Sequence, residues 1–277
     1  MKDFYNKVVV ITGAGSGMGR AYALAFAHEG AKLVLVDIDS DDLLETESLC
    51  TAVAPKMQSL RRVVDVANAT QMHTLAEAVE AHFGGADILI NNAGIDGMAA
   101  PAWKIDDDSL RRVMDVNFFG VRNGCQAFLG QMLGKSPKVI VNVASIFGLI
   151  APPNHADYAA AKHAVVGYTR VLRTELSRTN VRVMLLIPGG VNTRIARNRP
   201  NADYTKFFLT ELPGRVAERV MRGIRRGERE VLIGKHAFRA WFGARFAASW
   251  LVQAIYWRVA GKATDMTHYP PSDIERP

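Results

Sequence analysis

Val8-Val9-Val10-Ile11-Thr12-Gly13-Ala14-Gly15-Ser16-Gly17-Met18-Gly19 joins a β-branched run directly to four glycines in seven residues. An unbroken apolar run suits a strand buried on both faces. Glycines right after it let the backbone turn sharply and approach a phosphate closely. A helical stretch at 20–29 follows, then a second apolar strand, Lys-Leu-Val-Leu-Val-Asp, at 32–37. Strand, glycine turn, helix and strand make one βαβ unit.

Outward from this unit the alternation continues. Residues 41–53 read as a helix, 60–66 as a strand, 69–83 as a helix and 87–90 as a strand. One long helix is expected over 109–133. A strand follows at 138–143, a helix at 157–177 and a strand at 181–187. This order predicts an α/β fold: a doubly wound, Rossmann-type parallel sheet with helices on both faces. Past Pro188 the pattern loosens. Residues 194–212 are expected to form a variable lid, 213–227 a helix and 230–233 a last strand. The expected division is one domain, 1–235, and an aromatic-rich, basic, helical extension, 236–277.

Composition sets wider bounds. In 277 residues, 49% are apolar and 22% charged, which excludes a disordered, collagen-like or coiled-coil chain. Cys50 and Cys125 belong to no C-x-x-C pair, so neither a zinc site nor a disulfide framework is expected. Two thiols outside any framework suit a reducing compartment, and the start of the chain has no signal-peptide pattern, so the expected location is cytoplasmic. Residues 194–262 hold fifteen Lys/Arg and five Asp/Glu, a local +10 against a total of +7, which leaves −3 for the rest. The excess reads first as a solvated face, with acidic substrates or an anionic membrane as alternatives. Nucleic acid is not expected, because no recognition motif accompanies the charge.

Gly13, Ser16, Gly17, Met18 and Gly19 are the candidates for a pyrophosphate cradle at a helix N-terminus. The spacing is T-G-x-x-x-G-x-G, with Met18 where the G-x-G-x-x-G fingerprint has its third glycine. Asp37, eighteen residues beyond Gly19, ends the second strand. A carboxylate there accepts bonds from both ribose hydroxyls of an adenosine and repels a 2′-phosphate, which points to NAD as the cofactor.

Tyr158 and Lys162 stand at i and i+4, on one helix face. Ser145 follows a strand, thirteen residues before Tyr158. Hydride transfer between a carbinol carbon and nicotinamide needs a proton moved at the oxygen. Free tyrosine ionises near ~10, so work at neutral pH needs a fall of roughly 3 units. The Lys162 ammonium favours the phenolate, and the Ser145 hydroxyl can hold the substrate oxygen.

With Asn91-Asn92-Ala93-Gly94 and Pro188-Gly189-Gly190-Val191-Asn192-Thr193 added, five motifs in order resemble the classical short-chain dehydrogenase/reductase family. The resemblance runs from about residue 7 to 193, and more loosely to 234. It implies that Asn117 is a fourth catalytic residue holding a relay water beside Lys162. Asp65 and Val66 would meet adenine. Asn91 and Gly94 would steady the fourth strand and line the adenosine side, with Asn92 and Ala93 in the same cofactor wall. Pro188, Gly189, Val191 and Thr193 would meet the nicotinamide end, and Tyr158 and Lys162 its ribose. No metal is implied. Met18 replaces a commoner isoleucine, and Ala144 a second serine. A homodimer through the helices at 109–133 and 157–177, or a homotetramer, is the implied assembly.

The expected reaction interconverts a secondary alcohol and a ketone on an apolar small molecule. Substrate choice is expected in loops 95–103, 147–155 and 194–212, with Phe207, Phe208, Leu209, Ile146, Phe147, Leu149 and Ile150 as apolar candidates and His155 as polar surface. The alternative is an NAD-binding sensor or scaffold without turnover. An extended-branch epimerase is disfavoured by the glycine spacing. The aromatics of 236–260 do not fall on one helical stripe and need cover. Packing within the chain or an oligomer contact is expected ahead of a membrane surface.

Overall fold

The computed structural model describes residues 1–196, 209–234, 236–260 and 266–269. Seven parallel strands form one sheet in the order β3-β2-β1-β4-β5-β6-β7. These are β1 (Val8–Thr12), β2 (Lys32–Asp37), β3 (Ser59–Val63), β4 (Ile88–Asn91), β5 (Lys138–Val143), β6 (Val181–Pro188) and β7 (Glu230–Ile233). The helices are α1 (Gly17–His28), α2 (Ser40–Val53), α3 (Ala69–Phe83), α4 (Asp107–Met114), α5 (Gly120–Met132), α6 (Ala156–Glu175), α7 (Pro213–Arg226), α8 (Ala237–Phe246) and α9 (Ser249–Ala260). The doubly wound sheet expected from the alternation is present.

Strand side chains alternate between two core layers, because the pleat has a period of two. Val8 and Val10 enter one layer with α3, α5 and α6. Val9 and Ile11 enter the other with α1, α2 and α7. Both faces are dry, which is why β1 has no polar residue before Thr12. Ala237 and Ala240 of α8 also join the first layer.

Three boundaries differ from the sequence reading. The first helix starts at Gly17, so the last glycines belong to its opening turn. The third strand stops at Val63, because Asp65 folds its carboxylate back onto the Ala67 N–H at 2.9 Å and starts a turn. The single helix expected over 109–133 is instead α4 and α5 joined by a π-helical turn, Asp115–Phe119. Asn117 lies inside that turn. Gly120 ends it, and a side chain there would press on Val66 Cγ2, 2.7 Å from the Cβ position.

The lid expected over 194–212 is described at its two ends only; Phe207 and Phe208 lie outside the described residues. Residues 194–196 form a 3-10 turn, and Val191 pairs with Glu211.

Candidate active site

The site gathers at the carboxyl ends of β1, β4, β5 and β6, as expected for a doubly wound sheet. At β1, Gly13 has φ +66, and a Cβ there would stand 2.9 Å from the Ala93 Cα. Gly19 is tighter still: its Cβ would collide with the Gly13 carbonyl. These two glycines let the loop, the start of α1 and the end of β4 close on one another. Thr12 completes the junction. Its Oγ1 accepts the Asn92 and Ala93 N–H groups at 2.9 and 3.0 Å, and Asn92 Nδ2 donates to the Thr12 carbonyl at 2.9 Å. Thr193 reaches the loop from the far side, its Cβ 3.1 Å from where a Cβ of Gly17 would stand. Loops almost two hundred residues apart in sequence thus flank one cradle.

Asp37 ends β2 beside this loop. Its Oδ2 accepts the Gly15 N–H at 2.8 Å, and its Oδ1 accepts the Ile38 N–H at 2.8 Å. Oδ1 also accepts the Asp39 N–H at 3.3 Å, so the remaining acceptor capacity lies at Oδ2. Two arginines come near. Arg20 donates to Glu45 at 2.6 Å and to the Gly15 carbonyl, and Arg194 donates to both oxygens of Asp42 at 2.7 Å. Both cations are thus committed to carboxylates. Asp65 is held in its own turn, and Val66 packs toward Gly120 with its carbonyl accepting from Asn123 at 3.0 Å.

Ser145 follows β5 and is buried, its Oγ accepting the Phe147 N–H at 3.2 Å. The turn it caps, Ile146–Gly148, sits directly on α6, because a Cβ at Gly148 would meet the Lys162 carbonyl at 2.6 Å. That contact brings the Ser145 turn to the helix carrying Tyr158 and Lys162. The Phe147 ring lies edge-on to Tyr158 at 6.2 Å and to His155 at 4.8 Å.

Lys162 is buried. Its Nζ lies 5.6 Å from the centroid of the Tyr158 ring and donates to the Val143 carbonyl at 3.1 Å. Burial pushes its pKa down to about 8. Asn117 is fully buried in the π-turn. Its Oδ1 accepts the Ile95 N–H at 2.8 Å, and its Nδ2 donates to the Ile95 carbonyl at 2.9 Å. Gly94 stands between the two: a Cβ there would be 2.9 Å from Asn117 Oδ1 and 3.6 Å from Lys162 Nζ. The missing side chain keeps open the short gap separating the amide from the ammonium.

Several expectations change. His155, read as polar surface, is buried, with Nδ1 2.7 Å from the Pro153 carbonyl. Ile146 and Ile150 belong to the core layer, not to a substrate wall. The sequence reading also missed Asp157, which is fully buried. Its carboxylate accepts the Met98 N–H at 2.8 Å and the Tyr158 N–H at 2.7 Å, fastening the 95–98 loop to the start of α6. Thr12, Arg20 and Arg194 were likewise missed as supports; only their contacts across the fold reveal them.

The sequence profile of the short chain dehydrogenase family matches residues 7–203. The chain is 40% identical over 249 residues to a protein named putative oxidoreductase SadH from Mycobacterium tuberculosis, covering 86% of this chain and 89% of that one. It is 37% identical to levodione reductase from Leifsonia aquatica, over 70% of this chain and 73% of the relative. Among solved structures, a short chain dehydrogenase/reductase from Burkholderia phymatum in complex with NAD is 31% identical, with full coverage of both chains and a TM-score of 0.78. The chain belongs to the short-chain dehydrogenases/reductases, a family of oxidoreductases.

Proposed function

We propose that this protein is an NAD-dependent oxidoreductase interconverting a secondary alcohol and a ketone on an apolar small molecule. The observation that carries the reading is buried Lys162, set beside the Tyr158 ring, below the Ser145 turn and across a glycine gap from Asn117. Gly13, Ser16, Gly17, Met18 and Gly19 would hold the pyrophosphate, and Asp37 the adenosine ribose. Asp65 and Val66 lie toward adenine. Asn92, Ala93 and Gly94 line the middle. Pro188, Gly189, Val191 and Thr193 border the nicotinamide end, where Tyr158 and Lys162 would also bind its ribose. The absence of a side chain at Gly13 and the free acceptor capacity of Asp37 fit this cofactor.

When bound, the nicotinamide supplies the acceptor for the hydrogen on the carbinol carbon. Ser145 Oγ orients the substrate hydroxyl, and the Tyr158 phenolate removes its proton. The Lys162 ammonium stabilises that phenolate across a short, water-poor distance. A group titrating near 8 exchanges protons readily around neutral pH, so Lys162 can pass the proton to a water held at the Asn117 side. In the reductive direction the same groups return it. Phe147 and Leu149, partly buried beside the Ser145 turn, favour an apolar substrate.

The catalytic unit is residues 1–235, and 236–277 is an extension whose Tyr269 packs on Trp103 and bonds Asn154. The two thiols, both free and buried, suit work in the cytoplasm. Val171 on α6 and Phe119 at the head of α5 stand exposed, which suits a dimer through these helices.

The test is NADH absorbance with NAD and a panel of secondary alcohols, run beside Tyr158→Phe and with NADP in parallel. The expected result is turnover with NAD that is lost in the variant. Faster turnover with NADP would refute the role of Asp37. Tight NADH binding with no turnover on any alcohol or ketone would favour a sensor.

A further inference from the structure

Helix α8 is turned by its own packing. Ala237 and Ala240 enter the core, and Trp241 Nε1 donates to Glu230 Oε1 at 2.6 Å. Phe238, Phe242 and Phe246, at spacings of four, are therefore driven outward, and Phe246 is 66% exposed. Helix α9 leans on α8 where Val252 Cγ2 comes 3.7 Å from the Cβ position of Gly243. It leaves Trp250 68% exposed, with Leu251 and Ile255 also open to solvent. The intramolecular cover expected for these aromatics does not reach this face among the described residues. Such a surface marks a docking site when large aromatics are contiguous.

The two helices themselves carry charge of one sign. From 231 to 264 the chain has no Asp or Glu and five Lys/Arg: Lys235, Arg239, Arg245, Arg258 and Lys262. Arg239, Arg245 and Arg258 are exposed among the aromatics. Pairing this face with itself about a two-fold axis would bring two basic faces together, and helices α8 and α9 supply no carboxylate to offset them. An anionic surface is the charge complement. At about 1.5 Å per residue, helices of 10 and 12 residues are too short to cross a bilayer but can lie in its interface. Among the described residues no helix is long and apolar enough to span a membrane.

We infer that α8 and α9 form an in-plane docking face for an anionic lipid bilayer, their aromatics entering the headgroup boundary and their arginines meeting lipid phosphates. The face adjoins the site's rim. Trp257 of α9 packs on Tyr269 at 5.8 Å, and Tyr269 packs on Trp103 at 5.4 Å and donates to Asn154 Oδ1 at 2.9 Å. Asn154 lies in the loop leading into the helix of Tyr158 and Lys162. Docking would thus bring the mouth of the site to the layer where apolar substrates concentrate. The docking itself does not depend on the proposed reaction, and its readout is binding.

The test is flotation of the full chain with vesicles of phosphatidylglycerol and phosphatidylcholine, against phosphatidylcholine alone. We expect about tenfold or greater preference for the anionic vesicles, falling as salt rises. Phe242→Ser with Trp250→Ser should lose that binding while unfolding at the same temperature. Arg239→Gln with Arg258→Gln should lose the anionic preference. Failure of the full chain to float, or equal flotation of the Phe242/Trp250 variant, would overturn the inference. So would light scattering in which that variant converts an oligomer to smaller species while the unaltered chain ignores vesicles, since a second copy would then be the cover.

Discussion

Lys162 sets stability against its proposed chemistry in a single side chain. Its pKa is lowered from 10.5 to about 8 by burial. A group lowered in this way contributes stability fully only above its unfolded pKa, and that contribution is lost as pH falls through the folded value. At pH 7 the chain therefore folds around a buried ammonium against its desolvation. Lys162→Met should abolish turnover yet raise the stability of the cofactor-free protein at pH 7 by up to about 3 kcal/mol. The gain should shrink as pH rises from 8 toward 10, which denaturant titrations at the two ends will show. Gly94 is its counterpart. Gly94→Ala would place a methyl group against Asn117 Oδ1, in the gap facing Lys162. A fall in kcat of roughly 10- to 100-fold with an unchanged fold is expected, read from steady-state rates and circular dichroism. The closeness of Tyr158 and Lys162 was legible before any fold was known, because helical spacing alone puts them on one face. The gap at Gly94 was not, since it exists only where 94, 117 and 162 meet.

Elements show the same division. The strands were readable because a sheet dry on both faces demands apolar runs: β1, β2 and β6 have them unbroken through their centres, and β5 is interrupted only by buried, hydrogen-bonded Asn142. The π-turn was not, because its extra residue is held by Asn117 bonding both polar groups of Ile95, a contact across twenty-two residues. Widened turns of this kind are frequent at functional sites. Asp157 supplies a second hidden join, between α6 and the 95–98 loop. Asp157→Asn keeps the shape but turns one acceptor into a donor facing a backbone N–H. It should cost about 2–3 kcal/mol and raise KM through the loosened loop, with kcat less affected. Thermal melts and substrate titrations will separate the two effects.

Across the whole molecule the two rims of the sheet differ in kind. The carboxyl rim holds the glycine loop and the Ser145, Tyr158 and Lys162 side chains. The amino rim is latched: Asp87 accepts the Val8 N–H at 2.9 Å and pairs with Lys138 at 2.9 Å, while Arg225 meets Glu29 at 2.6 Å. Lys138→Met should lower stability by about 1–3 kcal/mol and leave kcat and KM unchanged, because the strand's full length separates it from Ser145. Equal loss of activity in that variant would deny the separation of rims. The sheet order itself could not be read from the strands, since parallel runs of similar composition do not name their neighbours.

The latched rim also holds the start of the chain. Lys7 and Asn6 bond to the residues around Gly30, and the Lys2 carbonyl accepts from Arg225 at 3.3 Å. The first residues therefore leave the molecule on the side away from the glycine cradle and from the aromatic face. A tether attached ahead of Met1, to a bead, an electrode or a fused partner, would present every molecule with its working end outward and its entrance unobstructed.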